Sequence, residues 1–155
     1  MLRIADAVEK GMSHDEVVSN SEKWIHDSNI WISIMNTKYL LKSGRFNSFK
    51  YKLVRFLRIK PIVSFMEDGR LGTVKACLTR RSNIKNMLEN AKGYIGDRKV
   101  WNYALAYVDD RETALYYQKE LKKLTGKDAL FISEASPMLV GKVGPGATAI
   151  AIALE

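Results

Sequence analysis

The chain has 155 residues, 46% of them hydrophobic, a single cysteine and a formal net charge of +8. That is enough apolar material for one domain with a real core and too much for disorder, and one cysteine excludes an internal disulfide framework and a multi-cysteine zinc site. The positive charge calls for an anionic partner, whether nucleic acid, a membrane surface or a phosphorylated or carboxylated ligand, without choosing among them.

The apolar runs fall short of a membrane span, and MLRIADAVEKG is too polar for a signal peptide, so a soluble, cytoplasmic protein is expected. Leu2, Ile4, Ala5 and Val8 recur at helical spacing and stop at Gly11, a short helix without a capping lead-in. Ser13 and Glu16 make a capping box for a second helix over about 15–27, with Val17, Val18, Trp24 and Ile25 as its apolar stripe. Residues 29–35, NIWISIM, read as a strand covered on both faces or nearly so.

From Asn29 to Met66 there is no acidic residue, while Lys38, Lys42, Arg45, Lys50, Lys52, Arg55, Arg58 and Lys60 are basic. A short helical turn through Tyr39 and Leu40 should end near Gly44. Phe49, Leu53, Phe56 and Leu57 then set the apolar face of a basic helix that ends before Pro61. PIVSFM and RLGTVKACL flank Glu67-Asp68-Gly69, a hairpin signal, because glycine accepts the positive φ that such a turn needs.

Ile84, Met87, Leu88 and Ala91 predict a helix ending near Gly93, and residues 100–108 a strand. Asp109 or Asp110 should cap a helix with Ala114, Tyr117, Leu121 and Leu124 on its core face and Gly126 as its stop. A short strand is expected over 128–133. Residues 147–154 alternate small residues with Ile150, Ile152 and Leu154, which puts bulk on one face and leaves the other for a close-packed helix or a cavity. The sum is an α/β fold, a two-layer domain with a mixed sheet of about six strands and helices mainly on one face, preceded by two N-terminal helices.

Residues with chemical potential are few. His14 and His26 have no nucleophile or carboxylate that the sequence would link to them, and Cys77, inside a strand, reads as a small buried hydrophobe. No catalytic motif or metal-ligand spacing is present, so neither an enzyme nor a metalloprotein is expected. Lys50, Lys52, Arg55 and Arg58 form either a solvated face or a surface for membrane headgroups. Single-stranded nucleic acid, stacked on Phe46, Phe49, Tyr51 and Phe56, is the competing reading, and no nucleic-acid-binding signature accompanies it. Gly144-Pro145-Gly146 is a turn or an anion-binding rim of amides, and Arg80 and Arg81 are solvated charges or an anion clamp.

In combination these segments resemble the DegV family, bacterial fatty-acid-binding proteins that serve as acyl-carrying subunits of fatty acid kinase. The resemblance rests on Tyr39-Leu40-Leu41-Lys42-Ser43-Gly44-Arg45-Phe46, which looks like the family's YLxxGGRI, then Ile59-Lys60-Pro61-Ile62, Asp68-Gly69, Thr79-Arg80-Arg81 and Gly144-Pro145-Gly146, in order. It implies a long-chain fatty acid as ligand, no cofactor, a carrier rather than an enzyme, and the kinase's catalytic subunit as partner. It further implies that residues 29–155 form the family's C-terminal α/β domain and residues 1–28 a helical remnant of its first domain. Where the family has two glycines before the motif arginine this chain has Ser43-Gly44, and where it has histidine two residues before GPG this chain has Lys142. The resemblance leaves Arg45, Arg80, Lys142, Gly144 and Gly146 as candidates for the ligand's carboxylate or phosphate. A site missing one wall implies that this chain alone binds lipid weakly or not at all, and a further, alternative reading is that an uncovered apolar face is hidden in a homo-oligomer.

Overall fold

The computed structural model describes residues 1–39 and 59–155. The basic helix expected over 49–58 lies outside them, with Lys50, Lys52, Arg55 and Arg58, as do Arg45 and the turn expected to end at Gly44. Along the described chain come α1 (Leu2–Glu9), α2 (His14–His26), β1 (Ser28–Ser33), β2 (Lys60–Phe65), β3 (Leu71–Cys77), α3 (Arg80–Ile95), β4 (Val100–Tyr107), α4 (Arg111–Thr125), β5 (Ile132–Glu134), α5 (Pro137–Val143) and β6 (Thr148–Leu154). The strands form one mixed sheet in the order β3-β2-β1-β6-β4-β5, antiparallel except for the β4–β5 pair. None of the described helices is long and apolar enough to cross a membrane.

Local chemistry starts and stops these elements. Before α2, the Ser13 hydroxyl accepts from the Glu16 amide while the Glu16 carboxylate accepts from the Ser13 amide at 2.8 Å, so two free donors are met reciprocally. Thr79 caps α3 by accepting from the Ser82 amide, and Asp110, not Asp109, caps α4. Gly69, at φ 73°, makes the β2–β3 turn, where the Asp68 carboxylate accepts from the Arg70 amide.

Period-two alternation in the strands makes the sheet two-sided. Ile150, Ile152 and Leu154 of β6, Tyr103 and Leu105 of β4, Trp31 of β1 and Ile62 of β2 point to one face. There they pack against Met87, Leu88 and Ala91 of α3 and Tyr117 and Leu121 of α4, which makes a sheet layer and a helix layer. A smaller cluster of Ile34 and Val63, with Ile32 and Leu71 against it, sits apart from that core.

One polar bridge crosses between the layers. Asn83 of α3 is fully buried, accepts from the Ser33 hydroxyl at 2.6 Å and donates to the Lys60 carbonyl at 2.9 Å. It therefore holds α3 against β1 and β2 and satisfies groups whose burial unpaired would be costly.

Four expectations need correction. Leu124 is 43% exposed, so the buried face of α4 ends at Leu121, one turn before the Gly126 stop. Of the α2 stripe only Val17 is buried, and Val18 and Ile25 face outward. The strand expected over 128–133 is Ile132–Glu134, although Leu130 and Phe131 already exchange backbone hydrogen bonds with β4. The helix ending near Gly93 runs on to Ile95, stopped by Gly96 at φ 51°. The described residues also contain α5, which the sequence reading does not predict; Pro137 starts it with a φ already suited to a first turn.

Burial of Tyr103 has a measurable consequence. Its hydroxyl donates to the Lys127 carbonyl at 3.1 Å, and burial first, then the Asp128 charge, push its phenol from 10.0 up to about 12. The folded state thus holds this proton more tightly than the unfolded chain does. Its contribution is complete below pH 10 and is lost as pH rises through 12. Urea midpoints measured from pH 9 to 12 should fall across that window, with phenolate absorbance appearing as the chain unfolds. Tyr103→Phe should reduce the fall and leave the part owed to Tyr94 and Tyr117, whose phenols burial also pushes up.

Candidate functional site

Two regions emerge, one at each end of β6. The first gathers the described sequence candidates near the N-terminal end of that strand. Arg80, the first residue of α3, donates at 2.9 Å to both carboxylate oxygens of Asp110 and to the Thr113 hydroxyl. Its side chain is 52% exposed and that of Asp110 only 6%, so the carboxylate depends on this guanidinium for compensation. Arg80 thus joins the start of α3 to the capped start of α4.

Lys142 lies in the last turn of α5, where a cation complements the helix dipole. The turn that follows is tightly determined. Gly144 has φ 76° and ψ 171°, and Gly146 has φ 79°. A side chain at Gly144 would meet the Tyr39 ring, and one at Gly146 would lie 3.3 Å from Met35. The Gly144 amide donates to Val140 and the Gly146 amide to Val108, so in this conformation neither faces a ligand. These contacts seat the exit of β1 directly on the glycine-proline-glycine turn.

The second region is a groove of about 900 Å³ on the sheet face away from α3 and α4. Its floor is Ile30, Ala104 and Ala151, which are cross-strand partners in one row, with Ala153 beyond. Phe65 and Met66 of the β2–β3 hairpin rise on one side, and Leu130 and Phe131 before β5 on the other. Phe65 is 51% exposed and the other three are also exposed. Among the described residues no helix packs over these alanines, and Ala151 and Ala153 line the groove.

Leu2 of α1 and Ile25 of α2 also line the groove. Their position is fixed by Arg3, whose guanidinium lies 5.2 Å from the centre of the Trp24 ring and 5.8 Å from that of Trp101, and which donates to the Leu154 carbonyl. Only the alanine alternation in β6 signalled this groove in the sequence. Its rims come from a hairpin and a loop whose apolar residues looked like ordinary strand positions.

The remaining candidates fall elsewhere. His14 is exposed at the start of α2, His26 at its end is exposed and borders the groove, and Cys77 is buried in the core at the end of β3. Among the described residues no cluster of histidine, cysteine, aspartate or glutamate could hold a metal ion.

Comparison with known proteins agrees with this architecture. A DegV domain-containing protein of Staphylococcus aureus is 24% identical over 153 residues, which cover 96% of this chain and 53% of that protein. The crystal structure of a fatty acid binding DegV family protein from Streptococcus agalactiae superposes with a TM-score of 0.83 at 23% identity, over 98% of this chain and 53% of the other. The Streptococcus pneumoniae fatty acid kinase B3 protein, loaded with linoleic acid, gives 0.83 at 13% identity, over 99% of this chain and 54% of the other. The chain therefore spans about half the length of the relatives it matches. The model of the family described as "Uncharacterised protein, DegV family" matches residues 1–155, and the chain belongs to that family.

Proposed function

We propose that this chain forms one wall of a fatty-acid site and acts as a carrier, not a catalyst. The observation that carries the reading is the alanine-floored groove with phenylalanine, methionine and leucine rims, on the open face of a DegV-type sheet. Apolar surface of this kind suits a saturated or unsaturated hydrocarbon tail. The support from relatives is that those from Streptococcus agalactiae and Streptococcus pneumoniae are described as fatty acid binding and as loaded with linoleic acid.

The carboxylate is assigned to the opposite end of β6, where Lys142 and the turn through Gly144 and Gly146 meet the exit of β1, and where Arg45 follows in sequence. Arg80 contributes there chiefly by ordering the starts of α3 and α4, since its guanidinium is already engaged. Lysine in place of histidine supplies a point charge for a carboxylate or acyl phosphate. Presentation of that carboxylate to a kinase subunit is the corresponding partner proposal. Residues 1–28 and 29–155 are assigned to the closing helices of a first domain and to a second domain.

Nucleic acid fits less well. The groove between α3 and α4 carries Glu89, Glu112 and Glu120 among its basic residues, which would oppose a phosphate backbone.

A methylene moved fully out of water contributes about 0.8 kcal/mol, and a groove covered on one side realises only part of that. Native mass spectrometry of the chain titrated with palmitate or oleate should show a weak one-to-one adduct, and the same spectrum reads the oligomeric state. Absence of any adduct at concentrations just below lipid self-association would overturn the carrier reading. A tight adduct retained through purification would overturn the open-sided account and indicate completion across a subunit interface.

A further inference from the structure

The β2–β3 hairpin brings an oxidisable side chain to the groove and holds it there. Met66, just after β2, donates its amide to the Arg70 carbonyl and accepts at its own carbonyl from the Gly69 amide, both at 2.8 Å. With its backbone fixed on both sides of the turn, its side chain lies across Gly72 of β3. Cγ, Sδ and Cε of Met66 lie 2.8, 3.1 and 2.5 Å from where a Cβ at residue 72 would stand, so the thioether rests on backbone that only glycine leaves bare. One face of the thioether is thereby covered, while Met66 as a whole is 41% exposed and lines the groove beside Phe65. Met87, by contrast, is fully buried in the core.

We propose that Met66 is an oxidation site, at which a hydroperoxide converts an apolar rim residue into a polar one. A lone pair of Sδ attacks the outer oxygen of the peroxide, the O–O bond breaks, and sulfur gives up two electrons and becomes the sulfoxide. Hydrogen peroxide leaves as water, and an organic hydroperoxide as the alcohol. The product is polar, chiral at sulfur and reducible by reductases that are each specific for one epimer. Because Gly72 covers one face of the thioether, oxygen adds from the other and one epimer predominates. Its oxygen is a hydrogen-bond acceptor on a rim shared with Phe65, which disfavours an apolar occupant. The consequence for a ligand rests on the fatty-acid reading of the groove; the site and its one-sidedness do not.

The test treats the folded chain with hydrogen peroxide and follows each methionine peptide by mass spectrometry, with the two sulfoxide epimers separated by chromatography. Met66 should oxidise about tenfold faster than Met87, and one epimer of Met66 should exceed the other about threefold, whereas the chain unfolded in urea gives nearly equal amounts. Gly72→Ala pushes the side chain off its seat and should remove the bias, with circular dichroism checking that the variant is folded. Peroxide should lower the affinity for a fluorescent fatty acid in the native sequence and leave that of Met66→Leu where it started. Saturating palmitate should slow the oxidation of Met66.

Oxidation of Met66 no faster than that of Met87, or equal epimers from the folded chain, overturns the site. One-sided oxidation that palmitate does not slow and that leaves affinity unchanged overturns the effect on the groove's occupant. If the fluorescent fatty acid does not bind before peroxide is added, the fatty-acid reading falls, and the oxidation site is decided by the epimer ratio alone.

Discussion

Replacing Ala151 with tryptophan should reduce fatty-acid affinity by about tenfold to a hundredfold while leaving the fold almost intact. Ala151 lies at the centre of the groove floor, between its partners Ile30 and Ala104, on the sheet face opposite α3 and α4. An indole there occupies the space of about four methylenes, which at roughly 0.8 kcal/mol each, discounted by about half for a one-sided groove, gives about 1.5 to 3 kcal/mol. The neighbouring residue should behave in the opposite way. Ile152 is 2% exposed and belongs to the core under the helices, so Ile152→Ala should cost about 2 to 5 kcal/mol of stability and change affinity per folded molecule little. Displacement of a fluorescent fatty acid, read beside urea midpoints, separates the two effects. Equal behaviour at 151 and 152 would mean that the groove face is not the ligand face.

That contrast also shows what was legible in the sequence. The alternation over 147–154 gave the strand and its two faces, because period two is set by the pleat and does not depend on the neighbours. It could not place β6 between β1 and β4, since pairing across a sheet is a long-range choice that the local pattern does not encode. Capping chemistry gave α2 and α4 closely, as Ser13 with Glu16 and Asp110 with Gly126 are local signals. Helix α5 was missed because Pro137 and Gly141 lower helical propensity over only seven residues. The site divided in the same manner. Family resemblance pointed to the Lys142 turn and Arg80, whereas the bond between Arg80 and Asp110 spans thirty positions and appears only in the fold. Ile25 was misread because an apolar residue at helical spacing signals burial, and here it borders a groove.

Gly144→Ala should be among the most damaging of small substitutions, costing about 2 to 4 kcal/mol from two separable sources. The first is backbone strain: φ 76° with ψ 171° lies in a region that only glycine occupies readily, and holding a residue with a side chain there costs on the order of 1 to 3 kcal/mol. The second is steric, since the new methyl would sit 2.8 Å from Cγ and 2.9 Å from Cε2 of Tyr39. These are ring atoms near the stem of the side chain, so relief requires moving the residue and with it the exit of β1. Tyr39→Ala in the Gly144→Ala background should therefore recover the steric part and leave the strain. Thermal or urea denaturation of the two single variants and the double variant gives the coupling directly. On the proposed assignment of the carboxylate to the Lys142 turn, Gly144→Ala should also weaken binding more than Tyr39→Ala does, read as loss of affinity for palmitate relative to its uncharged alcohol. Additive stability losses in the double variant would show that Tyr39 does not pack on the turn and would remove it as a determinant of the carboxylate end.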